Sequence, residues 1–232
     1  MRGHATSRSA RPRQLALALG HEESLAREDF LEGPSNATAL KLLEAWPDWP
    51  APVLMLTGPE GSGKSHLAAI WATASGARVI AGRALMETSP PMALATGALV
   101  IEDLGASEFD EASLFHMLNL SREEGAFILL TTRMPPASWN VGLRDLASRL
   151  RAVPVVALEP PDDALLRSVI VKLCADRQLT VDEAVVGYLA SRIERSFGAA
   201  RSAVARLDQE ALRQKRAVNR SLAADLFRDV GA

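Results

Sequence analysis

The sequence predicts an α/β fold in which a parallel five-stranded sheet has helices on both faces, followed by a small all-helical domain. Five short aliphatic runs alternate with helical or loop segments, which is typical of parallel strands buried on both faces. The runs are Val53–Thr57, Arg78–Ala81, Ala98–Ile101, Phe127–Thr131 and Val153–Leu158. After Pro160 the strand pattern stops, and only helical periodicities follow.

Length and composition set the limits of the fold. A chain of 232 residues has room for a medium and a small domain. The net charge of −2 at pH 7 argues against an autonomous nucleic-acid binder, which is normally basic. The single cysteine excludes an intramolecular disulfide and fits a reducing compartment. We predict a tail over residues 1–25, an α/β domain over 26–160 and a helical domain over 161–232.

The first 25 residues have the composition of a flexible tail. The apolar run Leu15–Leu19 is too short for the core of a signal peptide, and the acidic segment after it is not a cleavage site. No stretch approaches the roughly 20 apolar residues of a membrane span. We therefore expect a cytoplasmic protein that does not contact a membrane.

The segment that precedes the first strand is predicted to form one helix. Leu40, Leu43 and Trp46 recur at helical spacing after Asn36, and Pro47 ends the segment.

A phosphate-binding loop follows the first strand. Its eight residues, GPEGSGKS, match the pattern G-x-x-x-x-G-K-[ST] at every fixed position and lead into a helical stretch. Glycines let backbone N–H groups turn toward a polyphosphate, and the helix N-terminus adds partial positive charge. Lys64 can reach the β- and γ-phosphates, and the Ser65 hydroxyl can coordinate Mg²⁺. The nucleotide-binding candidates here are Gly58, Gly61, Ser62, Gly63, Lys64, Ser65 and the adjacent His66, for which a structural role is the alternative.

Acidic and polar side chains end the next two central strands. Glu102 and Asp103 follow an apolar strand, an arrangement that can hold Mg²⁺ and orient water. Thr132 and Arg133 follow another strand, at the edge of an open α/β sheet where ligands bind. Solvated acids are also common at strand ends, so a purely structural reading stays open.

The last third of the sequence predicts four helices. Asp162 and Asp163 follow two prolines and favour a helix start, and Thr180–Glu183 reads as a capping box that opens the second helix. The third is predicted from about Ala199 to Gln214. A fourth has an apolar stripe, which comprises Leu222, Leu226 and Val230.

With these segments in this order, the chain resembles AAA+ nucleotide switches, and is most similar to the DnaA-related group that includes the Hda-type regulators. The resemblance covers residues 26–230. It depends on Asp29–Asn36, on the phosphate loop, on Ser148–Leu150 and on Val156–Pro161, which leads into what this family calls the lid.

The resemblance implies roles for further residues. Phe30 and Asn36 would lie around an adenine of ATP or ADP, and Mg²⁺ would be held by Ser65 and Glu102. Arg149 would be a finger that reaches the γ-phosphate of a neighbouring subunit, and Arg201 a sensor of nucleotide bound to its own chain. An ordinary surface residue is the alternative for Arg149, and a solvated basic face for Arg201.

The tail sequence also resembles a known peptide. The segment starting QLALAL is similar to the peptide by which Hda-type proteins dock on the sliding clamp of DNA polymerase; the residues concerned are Gln14, Leu15, Leu17 and Leu19. Alternate leucines of an extended segment would enter apolar pockets. A low-complexity leucine–alanine tail is the alternative.

Together these features predict a regulator that docks on the clamp and stimulates ATP hydrolysis by DnaA. DnaA continues into a basic DNA-binding domain after the lid, whereas this sequence ends at Ala232, so we expect no autonomous DNA binding. A homo-oligomer is possible. A DnaC-like helicase loader and a small-molecule P-loop kinase stay open as alternatives.

Two departures from the family pattern concern hydrolysis by the chain itself. The order of Glu102 and Asp103 differs from the usual start with Asp, and Arg133 stands where DnaA commonly has Asp. We therefore expect weak intrinsic ATPase activity with nucleotide binding retained.

Overall fold

The computed structural model describes residues 24–105 and 109–228. The strands are β1 (Val53–Thr57), β2 (Arg78–Ala81), β3 (Ala98–Glu102), β4 (Phe127–Thr132) and β5 (Val155–Ala157). The α-helices among these residues are α1 (Ala37–Glu44), α2 (Lys64–Ser75), α3 (Pro90–Ala93), α4 (Glu111–Glu124), α5 (Arg144–Ala152), α6 (Asp163–Asp176), α7 (Glu183–Arg192), α8 (Phe197–Gln214) and α9 (Arg220–Phe227). Short 3₁₀ helices cover Arg27–Asp29, Gly82–Glu87 and Pro136–Ser138.

All five strands are parallel, in the order β2-β3-β4-β1-β5. The predicted five-stranded parallel sheet is therefore confirmed. β4 lies between β3 and β1, and Thr57 at the end of β1 is in register with Thr132 at the end of β4. The residues that follow these two strands consequently lie side by side at one edge of the sheet.

Helices cover both faces of the sheet, as predicted. Successive strand side chains point to opposite faces, so each strand contributes to two cores. Leu54 and Leu56 pack with α1 and α2 on one face, whereas Met55 packs with α3, α4 and α5 on the other. A group of aromatic side chains packs together in and against the first core; it comprises Trp46, Trp49, Trp71 and Phe127.

Helices α6 to α9 pack around a third core of their own. The prediction of a capping box at Thr180 was wrong: Asp182 is the N-cap residue of α7, and its carboxylate accepts a hydrogen bond from the backbone N–H of Val185 at 2.9 Å. A carboxylate at this position outcompetes a hydroxyl two residues earlier because it also favours the helix dipole. Val230, which was predicted in the apolar stripe of the fourth helix, lies outside the described residues. The domain boundaries at residues 25 and 160 stay predictions.

Candidate functional site

The phosphate loop connects β1 to α2, and its backbone requires glycine. Gly58, Gly61 and Gly63 have φ angles of 156°, 70° and 96°. A Cβ atom on Gly58 would lie 2.7 Å from the carbonyl oxygen of Leu158, so this glycine is also required for close approach to the strand end. The loop therefore has the compact turn that directs N–H groups toward an anion.

Lys64 begins α2 and is buried against the loop. Its ammonium group donates hydrogen bonds to the carbonyl oxygens of Gly58 at 2.9 Å and Pro59 at 2.8 Å. Burial lowers the pKa of Lys64; the negative charge of Asp103 opposes this shift, and the positive charge of Arg133 adds to it. A polyphosphate in the loop would restore the stability of the charged ammonium, because it supplies negative charge where burial has removed water.

The two acids predicted as a metal and water site lie at the end of β3. One carboxylate oxygen of Glu102 is buried and has no hydrogen-bond partner among the described residues. Asp103 has a φ of 51°, and its backbone N–H donates to the hydroxyl of Thr131 at 3.1 Å, which turns the chain away from the strand direction.

These residues fit Mg²⁺. The ion takes oxygen ligands and is commonly held by one or two carboxylates with substrate phosphates, and the orphaned Glu102 oxygen and the exposed Ser65 hydroxyl are donors of that kind. No cluster of three or more histidine, cysteine or acidic side chains within residues 24–105 and 109–228 could hold a metal by itself. Bound Mg²⁺ would neutralise phosphate charge, and the chain would contribute the oxygens that hold it.

The end of β4 brings Arg133, one of the two polar residues predicted at this strand end, to the phosphate loop. Thr132 is buried, and its hydroxyl donates to the carbonyl oxygen of Met134 at 2.9 Å, so it stabilises the turn after the strand. Arg133, next along the chain, forms an ion pair with Glu60 of the phosphate loop at 2.6 Å. From the sequence, Arg133 was predicted at a strand end where ligands bind and as a departure from a family pattern, but its contact with Glu60 was not predicted.

A cavity of about 360 Å³ lies between the phosphate loop, the segment before α1, and helices α6 and α8. Helices α6 to α9 are called the lid below. The predicted residues Phe30, His66 and Arg201 all line this cavity. The rings of Phe30 and His66 meet edge to face at 5.1 Å between centroids. The Nε2 atom of His66 lies 2.9 Å from the carbonyl oxygen of Ala26, so this histidine also holds the segment before α1.

Lysine and aspartate side chains close the same cavity. Lys172 of α6 contacts Asp29 at 2.7 Å and Asp176 at 2.8 Å. The hydrogen bond from Lys172 lowers the pKa of Asp29. Burial of Lys172 disfavours its charge, but its hydrogen bonds with both carboxylates raise its pKa overall. The sequence analysis missed this face of α6, although Val169, Lys172, Leu173 and Asp176 recur at i, i+3, i+4 and i+7 and would have indicated one helix face.

The lid contacts the phosphate loop directly through the start of α8. The backbone N–H of Phe197 donates to the carbonyl oxygen of Gly61 at 2.8 Å, and the ring of Phe197 lines the cavity together with Arg201. Arg201 is thus placed on the helix that reaches the loop.

Asn36 does not line the cavity. Its amide is buried, donates to the carbonyl oxygen of Leu31 at 3.0 Å and accepts from the N–H of Gly33 at 2.9 Å. It therefore shapes the segment that carries Phe30.

Arg149 lies at the end of the sheet where β1 and β5 begin, whereas the phosphate loop lies at the opposite end. Its guanidinium carbon is 4.9 Å from the ring centroid of Phe115, and it lines a cavity of about 180 Å³ with Ala51, Val53 and Val153. Those residues precede or begin strands, whereas the loop follows the end of β1. The structure therefore does not bring Arg149 together with the other predicted site residues.

The clamp-binding prediction falls on residues outside the described ranges, namely Gln14, Leu15, Leu17 and Leu19. None of the helices in the described part of the chain is long and apolar enough to cross a membrane.

Comparison with known proteins gives matches in structure only. No protein-family model matches the sequence, and no curated protein matches it. Domain III of the replication initiation protein DnaA from Thermotoga maritima is 21% identical over 89% of this chain and 96% of that one, with a TM-score of 0.73. DnaA bound to AMPPCP and single-stranded DNA is 18% identical over 81% of this chain and 67% of that one, with a TM-score of 0.67.

The Holliday junction branch migration motor RuvB of Thermotoga maritima is also similar, at 17% identity over 87% of this chain and 70% of that one, with a TM-score of 0.67. At these identities the similarity concerns the fold alone. The chain has the AAA+ P-loop fold of the DnaA and RuvB structures.

Proposed function

We propose that this protein is an adenine-nucleotide-binding AAA+ regulator of replication initiation, of the Hda type. Docked on the sliding clamp of DNA polymerase through its tail, it would contact ATP-loaded DnaA and stimulate ATP hydrolysis there. Its own hydrolysis would be weak, and ATP or ADP with Mg²⁺ would act as its structural ligand.

Nucleotide binding in this proposal depends on the loop and on the cavity beside it. The loop has its glycine turns and its buried lysine, and the adjoining cavity has an aromatic residue, Phe30, and a cationic residue of the lid, Arg201. A planar base fits such a partly apolar cleft between two domains. Two DnaA structures similar to this chain have AMPPCP bound, which favours an adenine nucleotide here.

The position of Arg149 is the observation that carries the regulatory part. Arg149 lies beside the start of β1. β1 has five residues before the phosphate loop begins, which corresponds to roughly 16 Å at about 3.3 Å per residue. An arginine at that distance cannot serve the nucleotide of its own chain. It lies on α5 at the surface, where it could enter the site of a neighbouring molecule.

The neighbourhood of Arg149 also suits that role. Its side chain is half-buried and packs on Phe115, which restricts the orientations of the guanidinium. A restricted guanidinium loses less entropy when it grips phosphate oxygens. An arginine supplied in trans typically raises the rate of phosphoryl transfer by about 10³–10⁵, which would be sufficient for a protein whose output is hydrolysis by its partner.

The test is ATP hydrolysis by DnaA with DNA-loaded clamp, with and without this protein. We expect wild type to stimulate, and Arg149→Ala to lose the stimulation while its nucleotide affinity stays unchanged and its melting temperature falls by only about 1–4 °C, the cost of the contact with Phe115. Arg149→Lys should also largely fail, because an ammonium cannot form the planar two-pronged contact. Arg144→Ala is the matched control, since Arg144 is an exposed arginine of the same helix.

Two outcomes would contradict the proposal. Full stimulation by Arg149→Ala would exclude the finger. No stimulation by the wild-type protein, with capture of the replicative helicase in a pull-down against clamp, helicase and DnaA, would favour the helicase-loader alternative instead.

A further inference from the structure

Helix α5, which carries Arg149, receives little support from the segments on either side of it. Residues 133–143 connect it to β4, and the regular structure in this connection is the short 3₁₀ helix Pro136–Ser138. β5, which follows α5, has three residues and pairs only with β1. Leu143 is the N-cap residue of α5, and its apolar side chain cannot accept a hydrogen bond from the first turn. The orientation of α5 therefore depends on contacts from elsewhere in the chain.

Helix α4 supplies such a contact through the carboxylate of Glu111, its first residue. One carboxylate oxygen accepts a hydrogen bond from the backbone N–H of Gly142 at 2.9 Å, and the other accepts from the N–H of Leu143 at 2.8 Å. Both N–H groups lie at the N-terminal end of α5, where the partial positive charge of the helix favours a negative side chain. Because both oxygens are engaged, the contact restricts the direction of α5 as well as its position.

A second contact between α4 and α5 involves the guanidinium itself. Phe115 follows Glu111 by one turn on the same face of α4, and the guanidinium carbon of Arg149 lies 4.9 Å from the centroid of its ring. From Leu143 to Arg149, α5 rises by about 9 Å at roughly 1.5 Å per residue. A shift or rotation of α5 at its start would therefore move the guanidinium away from the ring.

We propose that Glu111 is a positioning residue for Arg149: its carboxylate fixes the start of α5, so that the guanidinium is held against Phe115 at the surface in one orientation. The inference rests on the proposed function, in which Arg149 acts on the nucleotide of a partner. Placement matters for that role, because a displacement of about 1 Å can lower the rate of a reaction by roughly a hundredfold. The finger would thus depend on a second residue, which lies on a different helix of the same chain.

The first test is ATP hydrolysis by DnaA with DNA-loaded clamp and increasing amounts of the full chain. We expect Glu111→Ala to lower the maximal stimulated rate by about 10- to 100-fold, because the guanidinium is misplaced. The concentration for half-maximal stimulation should change by less than about threefold, since the substitution removes no contact with the clamp. Glu111→Gln should give an intermediate rate, because its amide oxygen can still accept one of the two hydrogen bonds.

A control must separate loss of positioning from loss of stability. Asp182 is the N-cap residue of α7 and accepts a hydrogen bond from the N–H of Val185 at 2.9 Å. It belongs to the lid, which packs around a core of its own. Asp182→Ala should lower the melting temperature by roughly 2–4 °C through loss of this cap, and it should stimulate DnaA like wild type.

The placement of Arg149 can also be measured without any partner protein. In an NMR spectrum of the isotope-labelled full chain, the Nε–Hε signal of Arg149 is identified by its loss in Arg149→Lys. The aromatic ring of Phe115 should shift this signal, and Phe115→Leu gives its position without the ring. Glu111→Ala should move the signal toward that position, whereas Asp182→Ala should leave it unchanged.

An Arg149 signal that stays at its wild-type position in Glu111→Ala would overturn the inference. A maximal rate that falls equally in Glu111→Ala and Asp182→Ala would overturn it too. Wild-type protein that does not stimulate DnaA would instead overturn the proposed function, and the Arg149 signal would still support or overturn the positioning by Glu111.

Discussion

Gly61 provides the sharpest test of how the lid and the phosphate loop fit together. It has a φ of 70°, and a Cβ atom there would lie 2.9 Å from the backbone nitrogen of Gly198 and 3.2 Å from Ser196. Both neighbours belong to the start of α8 or precede it directly. Gly76, which ends α2, has nearly the same φ of 67°, but among the described residues no neighbouring atom would lie within 4 Å of a Cβ atom there. Alanine at the two positions therefore meets the same backbone strain and different surroundings.

The expected magnitudes follow from this difference. A left-handed backbone costs a residue with Cβ about 1–2 kcal/mol, so Gly76→Ala should lower the melting temperature by roughly 2–8 °C in a chain of this size. Gly61→Ala carries the same strain and also displaces backbone, with loss of the hydrogen bond from Phe197 to Gly61. That bond adds about 1 kcal/mol. The total of about 2–3 kcal/mol corresponds to roughly 4–12 °C.

Nucleotide affinity should separate the two variants further. Gly76→Ala leaves the loop unchanged and should bind ADP like wild type. Gly61→Ala moves loop N–H groups away from the phosphates and should bind about tenfold more weakly or worse, the loss expected for one charge-assisted hydrogen bond. The assays are a thermal melt and calorimetric titration with ADP. Equal melting temperatures for the two variants, together with wild-type affinity in Gly61→Ala, would refute the contact between lid and loop.

The remaining predictions concern the loop lysine and the tail. Lys64→Ala should abolish adenine-nucleotide binding in a titration, and wild-type affinity in that variant would exclude the loop as the binding site. Because burial lowers the pKa of Lys64 below its usual 10.5, wild-type affinity should fall as pH rises through that lowered pKa, since the ammonium that pairs with phosphate loses its proton. Whatever affinity Lys64→Arg retains should not change over the same pH range, because arginine stays charged. In the tail, Gln14→Ala with Leu17→Ala should remove clamp binding in surface plasmon resonance without changing the thermal melt; clamp binding that survives would show the peptide assignment to be wrong.

Much of the fold could be predicted because its signals are local. β1 and β2 have the predicted bounds, and β3 and β4 are each longer by one residue, Glu102 and Thr132. β5 is shorter, at Val155–Ala157, because it is an edge strand that pairs only with β1. A run of aliphatic residues identifies a buried strand, but the number of paired residues depends on the neighbouring strand.

The residues of the candidate site also divide into those that a short segment identifies and those that only distant contacts identify. The glycine pattern of the loop and the lysine after it could be recognised from eight consecutive residues, because positive φ angles and a strand–loop–helix order are properties of a short segment. The Glu102 and Asp103 pair was recognisable for the same reason. The face of α6 that lines the cavity has a recognisable helical spacing, but its polar positions look solvated until their partners are known.

The sequence by itself therefore determined the parallel α/β class, the phosphate loop and the helical nature of the last third, since hydrophobic period and glycine position act within a few residues. Only the tertiary structure decided which strand ends are neighbours. The tertiary structure also places Arg133 against Glu60, Lys172 against Asp29, and Arg149 at the end of the sheet away from the loop. Strand order and contacts between distant residues both depend on the packing of the whole chain.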